Sequence, residues 1–375
     1  MKITIGRDLL YEALQNVNSV VPQKPTLPVL SNFLIRAENS KLSISGTDMD
    51  MYITTDIQCE VVEEGSITIN AKRFLGVVRE LPSESINIEV IGEYLNIIFS
   101  QGDAKILGMS SSDYPSLRDT LEGVDVSVSG DEFIEMVNKT SFSVATDRTR
   151  LALTGVYWKV ERDRMAMVAT DGHRLSLFEK TLDAEIFTDD LKEIEAIVPP
   201  KALSQAARVV TSGIALEKVI FGKGAILFDF ITTKIFSKLI EGPYPNFRQV
   251  IPTSNSKKVF IAAEQLASAV RRVSVLSNSV THQIRMSLNS GQMEITTLNQ
   301  DIGGEARENL TVRYEGEPVI VAYNASFLME IFRVIDTDEI VLELETPMAA
   351  CIIRPVAASE TRECLYLIMP LRLNE

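Results

Sequence analysis

The strongest constraint on this chain's fold is internal repetition: one plan recurs three times, at intervals of about 125 residues. LSISGTDMD from Leu42, MAMVATDGH from Met165 and MEITTLNQD from Met293 each open on alternating apolar residues, as a half-buried strand requires. Each then turns polar at the same register. Asp48, Asp171 and Asn299 correspond, as do Asp50, His173 and Asp301.

The second copy contains ATDGHRL, with one of the chain's two histidines two positions after an aspartate. Asp-x-His is a natural way to orient a general base. A turn whose polar residues serve the backbone explains the same spacing. The repeat favours the turn, since aspartate takes the place of His173 in the other two copies.

The remainder of the plan follows the same periods. A first amphipathic helix is predicted from Leu10, Ala13, Leu14 and Val17, from Phe133, Ile134 and Val137, and from Leu266, Ala269, Val270 and Val273. A second is predicted from Phe74, Val77 and Val78, from Leu203, Ala206 and Ala207, and from Leu328, Ile331 and Phe332. Alternating strands follow each second helix. Two helices on antiparallel sheet per copy make an α+β chain of three repeated domains. The turn-rich links SLRDTLEGVD and GPYPNFRQVIPTSNSKK set their bounds at 1–122, 123–252 and 253–375.

No apolar run approaches the roughly 18 residues that span a bilayer, and the N-terminus lacks a signal-peptide core, so a cytoplasmic protein is expected. Cys59, Cys351 and Cys364 have no zinc or redox spacing and read as buried, reduced thiols. Asp48 with Asp50 lies in DMDMYI, which lacks the glycine and further oxygens of a calcium loop; no P-loop, Rossmann or nucleophile-elbow pattern occurs. The expectation is no catalytic residue, no metal and no cofactor.

The net charge of −14 argues at first against nucleic acid. The positions of the cations argue the other way. Arg79, Arg208 and Arg333 share one position in the second helix, each seven residues after Lys72, Lys201 and Ser326, so each pair lies on one helical face. The first helices add Lys139, Arg271 and Arg272, while the strands are acidic. A basic helical face suits phosphate contact without base readout.

These features, with PTLPVL at 25–30, GTDMDM at 46–51, ATDGHRL, YPNFRQVIP at 244–252 and the closing YLIMPLRL, resemble the bacterial sliding clamp, the beta subunit of DNA polymerase III, over the whole chain. The resemblance implies a head-to-tail homodimer, a six-domain ring with helices lining the hole, which tethers the replicative polymerase to duplex DNA without catalysis of its own. Size agrees: domains roughly 35 Å across leave almost no hole in a triangle, and one on the order of 30 Å in a ring of six. Partners would be double-stranded DNA, and polymerase, clamp loader and repair proteins docking through short peptides.

By the same resemblance, Lys24, Arg73, Arg148 and Arg150 join Lys72, Arg79, Lys201 and Arg208 in contacting DNA. A peptide pocket between the second and third domains would use Leu153, Thr170, Gly172, His173, Arg174, Leu175, Pro245 and Val250. Met348 and the tail residues Leu367, Ile368, Met369, Pro370, Leu371 and Arg372 would complete it. Ala104, Ile106, Val275 and Leu276 would close the dimer. Gln249, Thr281 and Phe327 depart from the commonest family pattern, and two residues, Asn374 and Glu375, follow the arginine-leucine ending.

Overall fold

The computed structural model describes residues 1–116, 120–182, 193–356 and 361–373. Part of the first expected link, 117–119, lies outside these residues, as do Asn374 and Glu375. Among these residues the α-helices are α1 (Arg7–Asn18), α2 (Ala71–Glu80), α3 (Gly130–Thr140), α4 (Pro200–Thr211), α5 (Ala263–Ser274) and α6 (Ala325–Arg333). Each expected apolar stripe is the face its helix buries, with two adjustments. In α3 the inward row runs through Phe133, Met136, Val137 and Thr140, leaving Ile134 half-buried, and in α2 Val77 is half-buried beside Phe74 and Val78. Asn70 and Asn324 start α2 and α6 by accepting backbone N–H groups with their side chains, while α4 begins on Pro200, which has no N–H to satisfy.

The described residues pack as two units, Met1–Ile134 with Lys201–Leu239, and Glu135–Pro200 with Ile240–Glu375. The first carries one 13-stranded antiparallel sheet, the second an eight-stranded and a four-stranded sheet. The middle repeat contributes to both units because hydrogen-bonded sheet runs through the repeat junctions. In the first unit Met51–Gln58 pairs with Thr233–Lys238, setting Tyr52 opposite Phe236. In the second, Arg174–Thr181 pairs with Arg362–Ile368, setting Leu175 opposite Leu367.

Helix and sheet approach closely where a glycine permits it. A Cβ on Gly46 would sit 2.8 Å from a methyl of Val17 on α1, so a larger residue would push the helix off the strand. Two of the strand edges left open among the described residues belong to the first and third repeats. Gly102–Met109 pairs along its length with Tyr94–Phe99, but on its other side it meets Gly65–Asn70 only at Gly108 and Met109. Gly304–Thr311 is the outermost strand of the four-stranded sheet.

Candidate functional site

The polar strand ends seen in sequence are built as one turn. Asp48 Oδ1 accepts the N–H groups of Asp50 (3.2 Å) and Met51 (2.8 Å); Asp171 Oδ1 accepts those of His173 (2.8 Å) and Arg174 (3.0 Å); Asn299 Oδ1 accepts that of Asp301 (3.2 Å). Thr47 and Thr170 close the first two turns by donating to the Met51 and Arg174 carbonyls. Asp171 therefore meets His173 through the backbone, and the imidazole instead stacks on Phe327, ring centres 6.4 Å apart. That is not the geometry of an acid–base dyad.

Gly172 holds φ at +88°, and a Cβ there would lie 2.7 Å from Arg150 Nη1. Gly172→Ala is expected to destabilise the second unit by about 1–2 kcal/mol, the cost of a left-handed backbone with a side chain, read by urea titration. Unchanged stability would mean that the turn relaxes at no cost.

Arg174, only 7% exposed, is the pivot of this region. It donates to Asp171 Oδ2 (3.1 Å) and to the Phe142 carbonyl (2.9 Å), pairs with Glu330 on α6, and lies 4.5 Å from the Phe327 ring centre. A buried guanidinium needs such partners, and having them it ties the strand end of the second repeat to the last helix of the third.

Beside it is a mainly apolar cleft of about 550 Å³. The structure brings Leu153, Thr170, Gly172, Arg174, Leu175, Pro245, Val250, Leu367 and Met369 together on its walls. Leu151, Ala152, Asn246 and Phe247 line it too and were not foreseen; the aromatic two positions after Pro245 was the available signal. Arg150, expected against DNA, stands on the same wall and donates to the Asp171 carbonyl at 3.1 Å.

His173, Met348, Ile368, Pro370, Leu371 and Arg372 are not among the walls. Ile368 lies on the other side of its strand. Consecutive residues of a strand face opposite sides, so with Leu367 on the cleft, Ile368 is fully buried in the core with Leu328 and Ile331 of α6. The tail is nonetheless fixed in place: the Met369 N–H donates to the His173 carbonyl (2.8 Å) and the Leu371 N–H to that of Ala322 (2.7 Å).

Among the expected DNA contacts, Lys24, Lys72, Arg73, Arg148 and Arg208 are exposed and form no ion pair among the described residues. Arg79 pairs with its neighbour Glu80 (2.7 Å) and Lys201 with Asp48 (2.6 Å). Lys139 does not belong to a basic face. It is 8% exposed and held by Glu135 (3.1 Å) and Asp336 (2.9 Å). Burial works against its charge, and the two carboxylates outweigh burial, leaving its pKa above the ordinary lysine value.

Of the expected dimer residues, Val275 is 75% exposed and Leu276 and Ala104 are half-buried, whereas Ile106 faces the core at 7%. Beside Ile106 the strand edge is open, and Leu107, the next residue, is exposed.

Of the three thiols expected to be buried, Cys351 is, whereas Cys59 and Cys364 are half-buried. Burial pushes Cys351 up to about 12 and Cys364 to about 11. Among the described residues no cluster of three His, Cys, Asp or Glu side chains could hold a metal ion, and no helix is long and apolar enough to cross a membrane.

Models of the DNA polymerase III beta subunit match in chain order: the N-terminal domain over residues 1–118, the central domain over 127–246 and the C-terminal domain over 248–372. The beta sliding clamp of Haemophilus influenzae is 30% identical over 376 aligned positions, with both chains covered completely. The Bartonella birtlesii sliding clamp, solved bound to griselimycin, superposes with a TM-score of 0.92 at 29% identity, and the C. crescentus beta sliding clamp with 0.91 at 30%, each covering 100% of both chains. Matched from end to end by all three domain models and by full-length relatives, the chain belongs to the DNA polymerase III beta subunit, or beta sliding clamp, family.

Proposed function

We propose that the protein is a sliding clamp that encircles duplex DNA and tethers the replicative polymerase to it, with domains 1–122, 123–252 and 253–375 and two copies closing a six-domain ring. The full-length family match carries this reading. Exposed cations at repeated helix positions support it, because sliding needs weak, equivalent phosphate contacts and no base-specific ones. The ring acts by raising the polymerase's effective concentration at the primer end.

The open edges of Gly102–Leu107 and Gly304–Thr311 support closure between the first domain of one copy and the third of the next. The cleft supports docking of short peptides from polymerase, clamp loader and repair proteins: it is apolar, with a few polar groups to orient a chain. Protein loaded by a clamp loader onto a nicked circular duplex should stay bound through gel filtration and be lost once the circle is cut. Equal loss from circular and linear DNA would overturn the encirclement.

A further inference from the structure

The three equivalent strand-end turns differ in one respect that the turn itself does not require. Its backbone needs only a side-chain oxygen, and Asn299 supplies one with no charge in the third repeat. In the second repeat the extra charge of Asp171 is spent three residues on, on Arg174. In the first repeat that later position is Met51, and the second carboxylate oxygen of Asp48 instead reaches Lys201 at the start of α4, 2.6 Å away. Asp50 is matched in the same way, by Lys238 at 2.9 Å.

Lys201 occupies the helix position held by Lys72 in the first repeat and Ser326 in the third. The three sites thus present unequal charge: among the described residues Lys72 is exposed without an ion pair, Lys201 is exposed and paired, and Ser326 is neutral. We propose that Asp48 is an internal counter-charge that withholds Lys201 from the phosphate backbone and so keeps the hold on duplex DNA loose enough for sliding. The inference rests on the reading of the helix faces as DNA-contacting.

The geometry suits the task. Two backbone N–H groups fix Asp48 Oδ1, so the carboxylate is in place whether or not the lysine is on it. A phosphate that draws Lys201 away must then face the carboxylate left behind. The net gain from that lysine is close to nothing, although on sequence alone it looks like a DNA contact.

The test is the salt dependence of binding to a short fluorescent duplex, followed by anisotropy with the full-length protein. Asp48→Asn keeps the turn, as Asn299 does, and should steepen the slope of log K against log salt by about 0.9 for each phosphate gained. Lys201→Met alone should leave the slope nearly unchanged, and added to Asp48→Asn it should restore the original slope. A merely structural role for the pair would alter stability and leave these slopes alone. The proposal is overturned if Asp48→Asn binds with the parental slope, or if Lys201→Met alone flattens it. Lys72→Met with Arg73→Met serves as the control and should flatten the slope by about 0.9 per lost contact. No change in that control would refute the DNA-contacting helix faces themselves, a failure distinct from that of the counter-charge.

Discussion

Deleting the tail from Met369 onward is expected to abolish capture of a polymerase-derived peptide while leaving the dimer intact. Met369 is a wall of the cleft, and its N–H donates to the His173 carbonyl, so the deletion removes both that side chain and the backbone bond that holds the tail beside the cleft. Loss of an apolar anchor that a docked peptide covers costs on the order of 2 kcal/mol or more, about 30-fold in affinity. The cleft walls all come from the second packing unit of one chain, which is why dimerisation should survive. His173→Ala should weaken the peptide less, because the imidazole packs on Phe327 and is not a wall. Fluorescence anisotropy with a labelled peptide measures both variants. Full affinity in the truncated protein would sink the docking site, whatever became of the ring.

The second large effect concerns assembly. Leu107→Glu combined with Val275→Glu is expected to give folded monomers, with dimer dissociation raised at least about 100-fold, as when charges are forced unpaired into an interface core. Both side chains are exposed, at 53% and 75%, so folding has no stake in them. Each stands beside an open edge: Leu107 on Gly102–Met109, and Val275 at the end of α5, next to Leu276, whose Cβ lies 3.5 Å from where Gly304 would carry one. Ile106→Glu would be a poorer probe, since it places a charge in the core of the sheet. Sedimentation velocity decides: a dimer of undiminished strength would mean that these edges are not the interface.

Much of this was present in the linear chain. The threefold plan, the helix stripes and the strand-end turns are properties of single elements, in which apolar spacing and turn chemistry act over a few residues. Asp48, Asp171 and Asn299 therefore correspond in the sequence, and each makes the turn. The outward placement of Lys72 and Arg208 followed from helical period alone. Tertiary structure decided what depends on meetings between distant segments. Pairing of Leu175 with Leu367 and of Thr55 with Thr233 carries sheet through the repeat junctions, and only then do residues near 150, 170, 245 and 367 share one cleft. The same meetings turned Ile368 into the core, drew Arg150 to the cleft, and buried Lys139 against Asp336, 197 residues away. Period specifies which face of an element is apolar; which partner covers that face, and which carboxylate meets a given cation, depends on contacts that close only when the whole sheet is assembled.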